Sequence, residues 1–366
     1  MKSEAIAWPN PSFPSIGTHP EWGIGEHQFR YRISYSPGRD RLPQWRESTG
    51  LPAGTPACWQ APPGECCGSN TPDTRMSYDL YITSPITLEQ FTRYFGERPG
   101  YSLEGTQAWY SNEETGVYFH FDHNSQPVEE DDEIAHSVVF IINLFRPGYF
   151  ILEAEPEVTR FVKTFDCSVY DPQNFGVEDS RYTAEALVRG WKHGNEFGYS
   201  AILDTDDAPA QILTRPAKEL ESVWAWNFHA NVRMEAAQKD IFIPHIFYLL
   251  LENELRSACV WPDAISTLIP GVDLLIIPRK QLAPRAFFFG KQREDRCIIS
   301  FAEALPIIAP YRTDEYEIPA FELPSPATPA AMKNFVKALS PDTTQPARLP
   351  MDQIYDRELA VKYLRK

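Results

Sequence analysis

From Met76 onward, apolar and polar positions along the chain follow the periods of strands and helices; before it they do not. Ser77-Tyr78-Asp79-Leu80-Tyr81-Ile82 alternates with the two-residue period of a half-buried strand, which predicts a strand over Tyr78–Ile82. Thr87-Leu88-Glu89-Gln90 reads as a capping box, and Leu88, Phe91, Tyr94 and Phe95 fall on one face of the helix behind it, with Gly96 at its end. Gln107–Ser111 and Val117–Phe121 flank Asn112-Glu113-Glu114-Thr115-Gly116, a turn of hairpin type. Ser137–Leu144 is a near-continuous apolar run, expected as a central strand buried on both faces.

Helical spacing returns at Glu155–Phe165, with Val158, Phe161, Val162 and Phe165 inward, and again over Tyr182–Phe197. A further helix is expected from Pro216, with Leu220, Val223, Trp224, Phe228 and Val232 on its inner side. Strands follow at Asp240–Leu251, Ala258–Trp261, Val272–Ile277 and Cys297–Phe301, then helices at Phe301–Ile308 and Ala330–Leu339. The order β-α-β-β-β-α, joined by hairpins rather than crossovers, predicts an α+β fold of mainly antiparallel sheets with helices on one face. The polar break Asp204–Pro209 divides it into two α+β subdomains, 76–205 and 206–340. Residues 341–366 are expected as a polar tail with a short helix over Gln353–Leu364.

Composition sharpens the boundary at Met76. Residues 1–75 hold 11 of the 33 prolines and balance seven acidic residues with seven basic ones. Residues 76–366 carry 43 acidic and 27 basic residues, the whole net charge of −16. The first 75 residues are therefore expected as an upstream extension, or as an arm packed through Trp8, Trp22, Trp45 and Trp59. An acidic chain lacks the basic footprint that phosphate neutralisation needs, which argues against nucleic acid and against an anionic membrane surface. No apolar run is long enough to cross a membrane and Met1–Pro20 has no signal-peptide core, so the cytosol is the expected location. Cys167, Cys259 and Cys297 lie in apolar runs and are expected as buried free thiols. Cys58, Cys66 and Cys67 lack a fourth ligand for zinc, and no cofactor is expected.

Candidate chemistry is sparse. His120-Phe121-Asp122-His123, with His136 beyond a loop, offers a ligand set suited to zinc or iron: His120 and Asp122 share a strand face, and His123 would fold in from the turn. Glu129-Glu130-Asp131-Asp132-Glu133 is a run of carboxylates that must stay solvated or meet cations. Trp109 and Tyr110, on the strand before the hairpin turn, are the aromatic anchors for a partner drawn to that charge. Gly190-Trp191-Lys192-His193-Gly194 places Lys192 and His193 near an expected helix end, a second conceivable catalytic pair. Pro262-Asp263 with Asp273 lacks the lysine that a restriction-type nuclease needs two residues after its second carboxylate, because Leu274 and Leu275 follow.

Tyr78-Asp79-Leu80-Tyr81 with Tyr94-Phe95, Asn112 to Phe119, and Trp261-Pro262-Asp263 running to Leu274–Arg279 together resemble uncharacterised bacterial proteins similar to immunity proteins of polymorphic and secreted toxin systems. The resemblance spans most of residues 76–340 and rests on no catalytic motif. It implies a cytosolic, acidic, non-enzymatic protein that occludes a cognate, basic toxin. The alternative expectation is a metal-dependent enzyme using His120, Asp122 and His123.

Overall fold

The computed structural model describes residues 76–124, 135–177, 181–205, 209, 212–237, 240–284 and 295–364, all of them in one compact unit. The fold is α+β. Its first half runs β1 (Ser77–Ile82), α1 (Leu88–Gly96), β2 (Tyr101–Glu104), β3 (Gln107–Asn112), β4 (Val117–His123), β5 (Val138–Asn143), α2 (Phe150–Phe165), β6 (Val169–Tyr170) and α3 (Ala184–Leu203). The chain continues through β7 (Thr214–Arg215), α4 (Ala217–Ala236), β8 (Phe247–Leu251), β9 (Glu254–Val260), β10 (Leu268–Pro270), β11 (Leu274–Arg279) and β12 (Asp295–Ser300). It closes with α5 (Phe301–Ile308), β13 (Arg312–Thr313), β14 (Ala320–Glu322), α6 (Ala330–Ala338), β15 (Ala347–Leu349), β16 (Tyr355–Asp356) and α7 (Arg357–Tyr363).

Six strands form a fully antiparallel sheet in the order β2-β3-β4-β5-β1-β6. Strict alternation gives it two unlike faces. Tyr78, Leu80, Phe119, Phe121, Phe140 and Ile142 point inward and meet Phe91 and Phe95 of α1, Phe161 of α2 and Trp191 of α3 in one core. The expected capping box starts α1: the Thr87 N–H donates to Gln90 Oε1 at 2.9 Å, and the Gln90 N–H donates to Thr87 Oγ1 at 3.2 Å. Helix α2 begins at Phe150, five residues before the expected start, with Pro156 inside it. Phe150, Ile151 and Ala154 are all buried, so their packing outweighs the missing proline N–H.

A second sheet, β12-β11-β9-β8-β15, is antiparallel except for the parallel pair β9 and β11. Its inner residues Cys259, Leu275, Ile277, Cys297 and Ile299 form another core with Ala304 and Ile308 of α5 and Met332 and Val336 of α6. Fully buried Arg279 ties this layer together: its guanidinium forks onto both Asp295 oxygens at 2.8 Å and donates to the Val336 and Leu339 carbonyls at the end of α6.

The expected division after residue 205 runs through the first core, because Leu220, Val223, Trp226, Ile243, Ile246 and Tyr248 belong to it together with β1 and α2. The expected inner side of α4 needs correction. Leu220, Val223, Trp226, Asn227 and Ala230 are buried, whereas Phe228 and Val232 are exposed. Asn227 takes an inward position because its amide is fully used: Nδ2 donates to the carbonyls of Ile246 at 2.8 Å and Glu114 at 3.0 Å, and Oδ1 accepts the Ile246 N–H at 2.7 Å. The C-terminal segment is woven into the unit, with β15 paired to β8, β16 paired to β7, and Met351 and Ile354 in the first core.

Candidate functional site

The outer face of the six-stranded sheet is built from two cross-strand rows. Register places Ser102, Trp109, His120, Ile141 and Asp79 side by side across β2, β3, β4, β5 and β1. The adjacent row is Glu104, Gln107, Asp122, Val139, Tyr81 and Tyr170. Trp109 stacks on His120 with ring centroids 4.0 Å apart, and Tyr81 stacks on His136 at 4.3 Å. Asp122 is held by the Thr106 hydroxyl at 3.1 Å and the Gln107 amide at 3.2 Å, and Gln107 in turn accepts the Trp109 indole N–H at 3.2 Å.

Two properties distinguish this face. Its apolar members Trp109, Val139, Ile141, Tyr81 and Tyr170 belong to none of the cores formed by the described residues. The ionisable members of its rows are Glu104, Asp122, Asp79 and His120, with no lysine or arginine. Burial lowers the His120 pKa against the pull of Asp122, so the imidazole is neutral at neutral pH. Burial also raises the Asp79 pKa, and Asp79 Oδ1 has no hydrogen-bond partner. At one end of the face the Arg146 guanidinium is turned onto the Tyr118 hydroxyl, donating from Nη2 at 2.6 Å and from Nε at 3.1 Å.

Strand geometry separates residues that the sequence grouped. Trp109 lies on this face, but Tyr110 faces the helices, stacking on Phe119 at 4.5 Å and donating its hydroxyl to Glu153 at 2.7 Å. Of the expected metal ligands, His120 and Asp122 share the outer face. His123 is buried on the opposite one, with Nε2 2.8 Å from the Ile86 carbonyl and its ring 5.4 Å from Phe91. An odd spacing along a strand reverses the side chain, and the inner pocket beside Phe91 takes the imidazole. His136 stacks on Tyr81. The described residues contain no group of three or more His, Cys, Asp or Glu side chains placed to hold a metal ion. The carboxylate run Glu129–Glu133 lies outside the described residues.

Lys192 and His193 sit in mid-helix rather than at a helix end, since α3 continues to Leu203. The glycines there serve close packing: a Cβ on Gly190 would stand 2.4 Å from the Tyr78 hydroxyl, and one on Gly198 3.1 Å from the Phe145 nitrogen. Lys192 borders a shallow cleft of about 490 Å³ between α2 and α3, lined also by Glu155, Glu185, Val188 and Arg189. Asp263 adopts φ +46° and accepts backbone N–H bonds from Lys280, Gln281 and Leu282, while Asp273 pairs with Arg215 at 2.9 Å. Both carboxylates hold loops and strands in place.

Glu153 is the buried charge that sequence reading missed. It is 2% exposed and accepts from the Tyr110 hydroxyl and Asn112 amide at 2.7 Å and from the Trp224 indole at 2.6 Å, joining β3, α2 and α4. Burial raises its pKa, and these donors oppose the rise. The only sequence signal is a carboxylate inside the apolar run Phe150–Ala154. Its partners lie about 40 and 70 residues away. Comparison with family models, curated proteins and solved structures finds no match to this chain.

Proposed function

We propose that this chain is a non-enzymatic binding protein of the immunity type, which neutralises a basic toxin by covering it with the outer face of the six-stranded sheet. The observation that carries this reading is the pairing of apolar and aromatic side chains outside the described cores with carboxylates, in two cross-strand rows that hold no lysine or arginine. A contiguous apolar patch on a folded protein marks an interaction site more often than a chance exposure. Aromatic side chains near the centre of such a patch give the largest part of binding energy, and surrounding charge of one sign speeds encounter with a partner of the other. The acidic run Glu129–Glu133, between β4 and β5 in the sequence, carries the same sign of charge. The net charge of −16 favours a basic partner over nucleic acid. No helix of the described residues is long and apolar enough to cross a membrane, and the proposed place of action is the cytosol.

The test pairs the chain with the protein encoded by the adjoining gene. Co-expression is expected to relieve that protein's toxicity and to yield a stoichiometric complex. Trp109→Ala combined with Glu104→Lys is expected to weaken the complex at least about tenfold while leaving the melting temperature close to wild type. A complex that keeps its affinity and salt dependence in that variant removes this face from the reading. Failure of the chain to bind or protect removes the reading itself.

A further inference from the structure

We propose that the edge strand β2 of the six-stranded sheet pairs with β2 of a second copy of this chain, about a two-fold axis through Ser102. The Ser111 N–H donates to the Gly100 carbonyl at 3.1 Å, and β2 and β3 pair from Tyr101 with Tyr110 to Glu104 with Gln107. Hydrogen-bonded and non-hydrogen-bonded pairs alternate along an antiparallel ladder, so Gly100, Ser102 and Glu104 turn their N–H and C=O groups toward β3. Tyr101 and Leu103 turn theirs outward. Neither makes a backbone hydrogen bond on that side among the described residues. Ser102, Leu103 and Glu104 are exposed, Leu103 at 38%.

The other edges of the two large sheets differ. At β12 the Asp342 N–H donates to the Arg296 carbonyl at 2.8 Å, so a later segment lies along that edge. Strand β15 has three residues with Pro350 directly after it, and β6 has two. Strand β2 carries no lysine or proline, and its register with β3 runs without a bulge, so the devices that blunt an edge against pairing are missing.

The outward groups set the register of a symmetric pair. With Ser102 opposite Ser102 on the axis, Tyr101 of each copy lies opposite Leu103 of the other. Both pairs exchange N–H and C=O, and the resulting four main-chain hydrogen bonds satisfy every outward group of both strands. Leu103 lies on the helix side, where a Cβ on Gly96 would stand 3.6 Å from its Cδ1, and pairing sets it beside Tyr101 of the second copy. Glu104, the one charge of the strand, falls opposite Gly100, so like charges do not meet directly. The strand is its own complement, which favours a second copy over an unrelated strand.

Four main-chain bonds and one leucine from each copy make a small contact, and the net charge of −16 repels the copies. Dimers are therefore expected at high protein concentration, and added salt is expected to strengthen them by screening that repulsion. The pairing covers neither outer sheet face, so it does not depend on the partner proposed for that face.

Sedimentation equilibrium of the purified full chain over a wide concentration range is expected to show monomer and dimer in exchange, shifting toward dimer with salt. Leu103→Pro removes an outward N–H that β3 does not use. That variant is expected to keep the wild-type circular dichroism and melting temperature while dimerising at least about tenfold more weakly. Ser102→Cys reads the register: its Cα atoms would stand about 4.5 Å apart across the axis, within reach of a disulfide, whereas Glu104→Cys places them roughly 14 Å apart. Cys58, Cys66, Cys67 and Cys167 are replaced by serine in both. Mild oxidation is then expected to yield covalent dimer at least about tenfold faster for Ser102→Cys than for Glu104→Cys, a result that stands even if the proline variant misfolds. A wild-type chain that stays monomeric at every concentration would overturn the proposal. So would a folded Leu103→Pro variant that dimerises as the wild type does, or equal cross-linking at the two positions.

Discussion

At Asp356 one carboxylate oxygen accepts the Gly148 N–H at 3.0 Å, while the other is buried with no partner, and the residue is only 4% exposed. Burial pushes its pKa from 3.8 up to about 6; the Gly148 N–H and the Lys192 charge oppose the shift, and Glu358 and Glu221 add to it. Between those two values the folded chain holds a proton that the unfolded chain releases, so stability falls as pH rises through the window and stays lower above it. Asp356→Asn keeps an acceptor for Gly148 and removes the buried charge. It is expected to raise stability at pH 7 by about 3 kcal/mol, at roughly 1.4 kcal/mol per pKa unit, and to change little at pH 3.5. Urea melts at the two pH values measure this, and an equal shift at both would contradict it. Glu153 is the contrasting case, since three donors satisfy its carboxylate. Neither environment can be read from neighbouring residues, because the partners come from strands and helices far along the chain.

At the scale of elements, α3 shows how composition misleads when a helix is read alone. The expected helix ended at Phe197, close to Lys192 and His193, yet α3 runs on to Leu203, and Gly190, Gly194 and Gly198 form a stripe of four-residue spacing that lets it approach β1 and the chain beyond β5. Gly190→Ala would place a methyl group 2.4 Å from the Tyr78 hydroxyl, which donates to Asp171 at 2.7 Å. Asp171 in turn accepts the Gly176 N–H at 2.9 Å, so the substitution strains β1, α3 and the loop from β6 to α3. Despite alanine's better helix propensity, the variant is expected to lose at least about 2 kcal/mol, measured by chemical denaturation. A neutral or stabilising result would show that α3 can shift outward. The same scale explains the candidate site. Alternation along β4 was legible and correctly paired His120 with Asp122, but a shift of one residue sends His123 and Tyr110 to the opposite side of the sheet.

At the scale of the whole molecule, the described residues form one unit whose first core draws on β1 at one end and Ile354 at the other. A chain beginning at Met76 is therefore expected to unfold in one cooperative transition followed by circular dichroism. Two resolved transitions would show that the cores are independent.

Local order was set by the sequence alone: the periods of β1, β4 and α1, the capping box at Thr87 and Gln90, and the mainly antiparallel α+β class all follow from spacings of a few residues, whereas the continuous apolar run of β5 hid that only its alternate residues are buried. These features depend on backbone hydrogen bonding and side-chain direction, which act within a turn or a strand. Only the tertiary structure decided which side of each element is buried, which distant donors surround Glu153, and which side chains align across strands. Those outcomes compare the packing of whole surfaces brought together from far along the chain. Asn227 turning inward while Phe228 turns outward is the clearest instance, because a buried amide with every hydrogen bond made outweighed the burial of one more ring.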